Sequence, residues 1–558
     1  MTRQPHTNVL MATLGEHPAV VSATANLLRH QGINLDTVQI IYPDEPDDRW
    51  VGIGSGMLVD YFAQYPELRT ELVPLPFADA SSAESIRQFL QTVGSYLEQH
   101  EQAGNTVYLS LAGGRKHTSA LLAILTQFFS CIQHVYHLHD TEEHNERKRF
   151  AVQQLDRMSL DERMRRLNLP TPHELERQRF TLIELPFTTL TNGIALWQWL
   201  ERAERDEISP PIAIAPEDEA FFDHLFRPAK DTTRLDMWLT QTAYEQYCTL
   251  SKSSEQQLQV IDTYLKDMIR AEWHHIHGRI HDQQTDPNPE HVQEASNTPL
   301  NHFTCKKKRT AERVFYYTQP NAITGYPGQT VERLVITRFP YHITGKKYDI
   351  ELVDWVQRPD IVPRYRLNDL PKRPMVLIAS LGESPMVVTQ TYRLLQEYER
   401  AEMKAIWIVY PGGHAPACNG ARMLEAVCQQ RKVPFYLHAL DIADVNSTET
   451  ANKFAVGMMQ AISQCQQKHP DASIALSISG GRKGMSVLTL YAAQQKGIRH
   501  VYHTIIRDPE RERAIQASYE NILHRSAALQ AELMFLDTMV LSDFDLISVP
   551  VIALAAGS

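Results

Sequence analysis

The fold class predicted for this 558-residue chain is α/β: two Rossmann-like, doubly wound parallel sheets from an internal duplication, with an inserted α+β segment. Two observations carry that expectation. Several motifs recur in one order at nearly one offset, the mark of a repeat. Within each copy, short apolar runs of strand length alternate with longer stretches of helical period, which implies parallel sheets covered by helices.

The repeat begins with Val9-Leu-Met-Ala-Thr-Leu-Gly-Glu-His-Pro-Ala-Val-Val21, answered by Val376-Leu-Ile-Ala-Ser-Leu-Gly-Glu-Ser-Pro-Met-Val-Val388. Further on, Leu109-Ser-Leu-Ala-Gly-Gly-Arg-Lys116 is answered by Leu476-Ser-Ile-Ser-Gly-Gly-Arg-Lys483. Leu14 and Leu381, and likewise Lys116 and Lys483, stand 367 positions apart. Ile41-Tyr-Pro43 pairs with Val409-Tyr-Pro411, and His134-Val-Tyr-His137 with His500-Val-Tyr-His503, each one residue out of that register. Leu182-Ile-Glu-Leu-Pro186 is echoed more weakly by Leu546-Ile-Ser-Val-Pro550.

In the first copy the pattern predicts strands at 8–13, 37–42, 71–75, 106–111 and 134–138, with helices at 18–30, 81–100 and 117–129. Pro18 suits a first helical turn, where its missing N–H costs nothing. Between the copies the pattern changes. Residues 201–272 read as mostly helical, with Leu235, Trp238, Leu239, Tyr244 and Leu258 as core candidates. The polar stretch 282–300 reads as a linker, and 315–355 has strand-like content. The expected domains are therefore 1–188, an insert at 189–365, and 366–558.

Composition narrows the function classes. Hydrophobic residues make up 43% and charged residues 22%, as in an ordinary globular protein. No apolar run approaches the roughly 20 residues that cross a bilayer, so no membrane partner is expected. The first residues lack a secretion-signal pattern, and the six scattered cysteines form no Cys-x-x-Cys pair; both point to a reducing cytosol. A net charge of −11 argues against a broad grip on long nucleic acid and leaves room for a compact anion in a local basic pocket.

In a doubly wound sheet, ligands bind beyond the carboxyl ends of the strands where strand order reverses. With the usual order, strands one and four meet there, so the loop Thr13-Leu-Gly15-Glu16-His17-Pro and the turn Gly113-Gly114-Arg115-Lys116 should converge on one crevice. In the second copy Ser380, Gly382, Glu383 and Ser384 should meet Gly480, Gly481, Arg482 and Lys483. Glycines let backbone N–H groups approach an anion, a helix N-terminus favours negative charge, and Arg–Lys pairs add fixed cations. No Gly-x-x-x-x-Gly-Lys-Ser/Thr loop is present, which disfavours a nucleoside triphosphatase. Gly52-x-Gly-x-Gly56 lacks the dinucleotide-binding spacing and reads as a loop.

Leu-Gly-Glu-Ser-Pro-x-Val-Val-Thr with Ser-x-Ser-Gly-Gly-Arg-Lys-x-Met resembles the CRISPR-associated Rossmann-fold (CARF) domain, in particular its ring nuclease branch. Residues 375–510 match closely. The first copy departs: Thr13 replaces Ser380, His17 replaces Ser384, and Lys116-His-Thr118 replaces Lys483-Gly-Met485.

The resemblance implies a cyclic oligoadenylate ligand, most often the tetramer, lying across two equivalent pockets that here share one chain as a pseudo-dimer. It also implies ring opening by a ribose 2′-hydroxyl, with no metal and no cofactor. Lys483 and Lys116 would stabilise charge on phosphorus, with Arg482 and Arg115 assisting. Ser380 and Thr13 would orient ribose or phosphate, while Glu383 and Glu16 accept a proton or hold the ribose. His17 is a candidate base particular to the first copy.

The competing expectation is a ring-activated effector whose insert is a ribonuclease. Arg270-x-x-x-x-His275, the spacing of a ribonuclease motif, is its candidate; His274, His275, His277 and His281 crowd nearby without the carboxylate framework of a metal site, and the basic run Lys306 to Arg309 reads as a solvated patch.

Overall fold

The computed structural model describes residues 6–44, 49–77, 83–114, 116–141, 151–176, 179–201, 211, 236–253, 261, 265, 292–294, 303–306, 313–323, 330–339, 362–366, 370–399, 401–506, 527–535, 544–549 and 551. It divides into two compact units, Met1–Trp199 with Arg373–Ser558, and Leu200–Lys372.

In the first half of the larger unit, β1 (Asn8–Thr13), β2 (Thr37–Pro43), β3 (Arg69–Leu75), β4 (Thr106–Ser110), β5 (Ile132–Asp140) and β6 (Phe180–Glu184) form one sheet. The order is β3-β2-β1-β4-β5-β6, parallel throughout except for β6, which runs antiparallel to β5. The central β1 is buried from Val9 to Thr13, which is why it reads as a continuous apolar run and not as an alternation. Three helices, Ala19–His30, Ala83–Ala103 and Lys116–Leu125, fall where the periodicity predicts them.

The smaller unit holds β7 (Asp236–Leu239), β8 (Val292–Glu294), β9 (Phe303–Lys306), β10 (Arg313–Ile323), β11 (Thr330–Arg338) and β12 (Tyr365–Arg366) in the order β12-β7-β11-β10-β9-β8. Its pairing is mixed, parallel only between β7 and β11. Leu239, Tyr247, Val314, Tyr316 and Ile336 form its core with the helix Gln241–Ser253.

The second half of the larger unit comprises β13 (Arg373–Ser380), β14 (Ala401–Pro411), β15 (Phe435–Leu440), β16 (Ser473–Ser477), β17 (His500–Ile506) and β18 (Phe544–Ser548). Their order, β15-β14-β13-β16-β17-β18, is that of the first half, and β18 is again the antiparallel edge. Loop contacts correspond as well: Leu14 N donates to Ile41 O at 2.8 Å and Leu381 N to Val409 O at 3.0 Å.

Three local readings are corrected. Residues 236–239 are a strand within a stretch expected to be helical, because pairing with β11 and β12 outweighs local period. Residues 292–294, expected as linker, pair with β9. Gly52-x-Gly-x-Gly56 lies inside the helix Arg49–Phe62 and is no loop. A Cβ on Gly54 would stand 2.9 Å from Val152 Cγ2, so the glycine lets that side chain pack against the helix. Leu235, Leu258, Arg270, His274, His275, His277, His281 and Lys307 to Arg309 lie outside the described residues.

The helix Gly193–Glu201 belongs with the first half through Trp197, which is fully buried with its ring 5.3 Å from Phe128 and 5.4 Å from Phe129. Gly94 makes room for it: a Cβ there would lie 2.1 Å from Trp197 Cζ2. The indole, held between two phenylalanines, has nowhere to retreat. Gly94→Ala is therefore expected to destabilise the larger unit by about 1–3 kcal/mol, read as a lower urea midpoint. An unchanged midpoint would mean that the indole moves freely.

Within the larger unit, the helices Lys116–Leu125 and Lys483–Lys496 pack against each other. Corresponding elements thus meet across the contact, as in an isologous interface. Gln495 Nε2 donates to Thr188 Oγ1 at 2.9 Å, and a Cβ on Gly484 would lie 3.4 Å from His137 Cδ2. No helix among the described residues is long and apolar enough to cross a membrane.

Candidate functional site

Strand order reverses between β1 and β4, and again between β13 and β16, so each half opens a crevice beyond those carboxyl ends. There the loop after the first strand is fastened to the turn after the fourth. Thr13 Oγ1 donates to Gly113 O at 2.9 Å, and Ser380 Oγ to Gly480 O at 3.0 Å. Both hydroxyls belong to buried residues, 3% and 0% exposed, so each holds the turn from beneath.

Glycine is required for this approach. A Cβ on Gly113 would fall 1.6 Å from Thr13 O, and one on Gly480 1.9 Å from Ser380 O. Gly15 and Gly382 lie against Gly114 and Gly481, whose φ values of +66° and +75° suit only glycine without strain. A second fastening, between Ser119 Oγ and Leu111 O at 2.8 Å and between Ser486 Oγ and Ile478 O at 2.7 Å, ties each following helix to its turn. The sequence shows this pair too, as Ser119 and Ser486 stand 367 positions apart.

The two turns meet. Lys483 Nζ donates to Ala112 O at 2.8 Å and to Gly113 O at 3.1 Å, and also to Gly114 O. A cation from the second half thus rests on the backbone of the first half's turn. Arg115 is outside the described residues, and Lys116 opens its helix. Glu16 is exposed and His17 half-buried on the loop after β1.

Four loops of the second half converge around Arg482. Its guanidinium pairs through Nη1 with Asp444, and its Nη2 lies 4.0 Å from Glu383 Oε1. His414 Nε2 approaches the same Glu383 oxygen at 3.9 Å. Ser384 is exposed beside Glu383 on the loop after β13. Asp444 is itself oriented by Val445 N, which donates to its Oδ1 at 2.8 Å.

Gly413 allows the crowding. A Cβ there would lie 2.8 Å from Ala443 Cα, and Gly413 N donates to Ile442 O at 2.9 Å. Glu383, His414, Asp444 and Arg482 lie on the loops that follow β13, β14, β15 and β16 respectively. Sequence reasoning missed His414 and Asp444. The repeated Tyr-Pro pair marks the loop carrying His414, whereas nothing local marks Asp444.

Such a cluster, with carboxylates, an imidazole and two cations over a glycine turn, offers donors and acceptors suited to a phosphate and a sugar hydroxyl. Fold and site together define a Rossmann-type α/β protein with two like halves. The chain belongs to the family of CRISPR-associated protein NE0113, whose model matches residues 17–209 and 384–557.

A CRISPR system ring nuclease of Saccharolobus solfataricus is 28% identical over 136 residues, which are 24% of this chain and 72% of that protein. Among solved structures, a type III CRISPR defence DNA nuclease activated by cyclic oligoadenylate is 11% identical, with a TM-score of 0.35 over 89% of this chain and 65% of that chain. Enterococcus italicus Csm6 bound to cyclic hexa-2′-fluoro-hexa-dAMP is 10% identical, with a TM-score of 0.23 over 53% of this chain and 73% of that chain.

Proposed function

We propose that the chain is a ring nuclease of type III CRISPR signalling. It binds a cyclic oligoadenylate, the tetramer foremost, between its two CARF-like halves and opens it, removing the signal. The observation that carries the reading is the position of Lys483, whose ammonium group belongs to one half and rests on the glycine turn of the other. A phosphate bound there meets groups from both halves. Family membership and the resemblance to a ring nuclease support the same reading.

The chemistry needs no resident cofactor. A ribose O2′ attacks the adjacent phosphorus, the P–O5′ bond breaks, and a 2′,3′-cyclic phosphate forms. The proton leaves O2′, and O5′ takes one from solvent water. Glu383 accepts the first of these, while Lys483 and Arg482 stabilise the charge that builds on the equatorial oxygens. Gly480 and Gly481 present the turn's backbone to the phosphate, with Ser380 holding that turn. Lys116, Arg115, Thr13, Gly15, Glu16, Gly113 and Gly114 serve the first half in the same way, and His17 stands where the second half has Ser384.

The test is to incubate the protein with cyclic tri-, tetra- and hexa-adenylate in chelator and follow linear products beside added RNA and DNA. Linear oligoadenylate ending in a cyclic phosphate is expected, with the added nucleic acids intact. Degradation of RNA or DNA with the ring preserved would replace this reading with that of a ring-activated effector.

A further inference from the structure

Glu383 and His414 stand in a relation that the residues named so far do not explain. His414 caps the helix Ala415–Gln430, its Nδ1 accepting from Ala417 N at 3.3 Å. That contact leaves Nε2 as the proton-bearing nitrogen of the neutral ring. Nε2 faces Glu383 Oε1 at 3.9 Å, too long for a hydrogen bond. An oxygen atom placed about 2.8 Å from each would bridge them, accepting from the imidazole and donating to the carboxylate. A hydroxyl can do both at once; a phosphate oxygen has no proton to give and would be repelled by Glu383. Arg482 Nη2, 4.0 Å from the same carboxylate oxygen, closes the third side.

We infer that His414 and Glu383 form a hydroxyl clamp that takes a ribose hydroxyl of the ligand. The clamp rests on the function proposed above. The first half has Glu16 at the position of Glu383, and its sequence differs at the position of His414. Asp44 N donates to Leu75 O at 2.9 Å as Gly412 N donates to Leu440 O at 2.8 Å, so these two positions correspond. Counting on from them, the sequence has Pro46 where the second half has His414, and proline has no side-chain donor. By sequence the two pockets therefore differ in this donor, and the second carries the clamp described here.

A cycle combining a protein change with a ligand change tests this. Rapid-mixing titrations compare the all-ribose ring with its 2′-deoxy counterpart in the native protein, His414→Asn and His414→Gln. Asparagine preserves the helix cap but is too short to carry an N–H to the Nε2 position, while glutamine retains an N–H of comparable reach. The native protein is expected to bind the deoxy ring about tenfold more weakly, the scale of a hydrogen bond to a charged group. His414→Asn should lose most of that preference by weakening only the all-ribose ring, and His414→Gln should keep part of it. Equal weakening of both rings, or none, in His414→Asn would overturn the clamp while leaving the proposed function standing. If the native protein binds no all-ribose ring of any size, both fall.

Discussion

Lys483→Ala is expected to slow ring opening by about 10²–10³-fold, the loss found when one preorganised donor is taken from a developing oxyanion. In the structure the ammonium donates to the carbonyls of Ala112, Gly113 and Gly114. A phosphate arriving at the turn exchanges one of these for a charged acceptor, a swap that gains because ionic hydrogen bonds are the stronger kind. The same substitution removes a cationic bridge between the halves, so a stability loss of about 1–3 kcal/mol should accompany it.

Lys483→Met separates the two effects, since it keeps the aliphatic stem packed and deletes only the charge. Its opening rate should match that of alanine, with ring affinity falling far less than turnover. Single-turnover rates and a melting curve provide the readout. Near-native opening by Lys483→Met would remove this lysine from the chemistry. Lys116→Ala is expected to cost less, as the first half departs from the ring nuclease pattern at Thr13, His17 and His117.

The second large effect is structural. Gly480→Ala would set a methyl carbon 1.9 Å from Ser380 O, a backbone atom that no rotamer change can move. The turn must shift, and with it the bond from Ser380 Oγ to Gly480 O that fastens it. The expected cost is about 3 kcal/mol or more, at the upper end for overpacked sites. Ring binding should be lost with the turn's shape. Gly56→Ala is the control: on a helix, with nothing within 4 Å of the added carbon, it should stabilise by about 0.5–1 kcal/mol. Equilibrium denaturation of the pair, with calorimetric titration of the ring, measures both. Equal midpoints for Gly480→Ala and the native protein would show that the turn is not held as described.

Much of the architecture was legible beforehand because its signals are local. Each strand is a short apolar run, each turn is announced by paired glycines, and the matched offset of Lys116 and Lys483 ties the copies to one register. With the usual strand order of a doubly wound sheet, the convergence of the first and fourth loops could be anticipated. Thr13 and Ser380 were marked as site residues for the same reason, although their hydroxyls bind the turns beneath the crevice.

What escaped were contacts between residues distant in the chain. Lys483 reaches Gly113 across 370 positions, and Asp444 meets Arg482 from another strand's loop. Gly54 admits Val152 to a helix that its glycines alone would have denied, and β7 extends because β11 lies beside it. Local composition encodes which residues can form a strand, a helix or a glycine turn, for those preferences act over a few bonds. Which imidazole faces which carboxylate is a property of packed loops. In this chain four of them, from β13, β14, β15 and β16, had to be folded together before His414 could be seen beside Glu383.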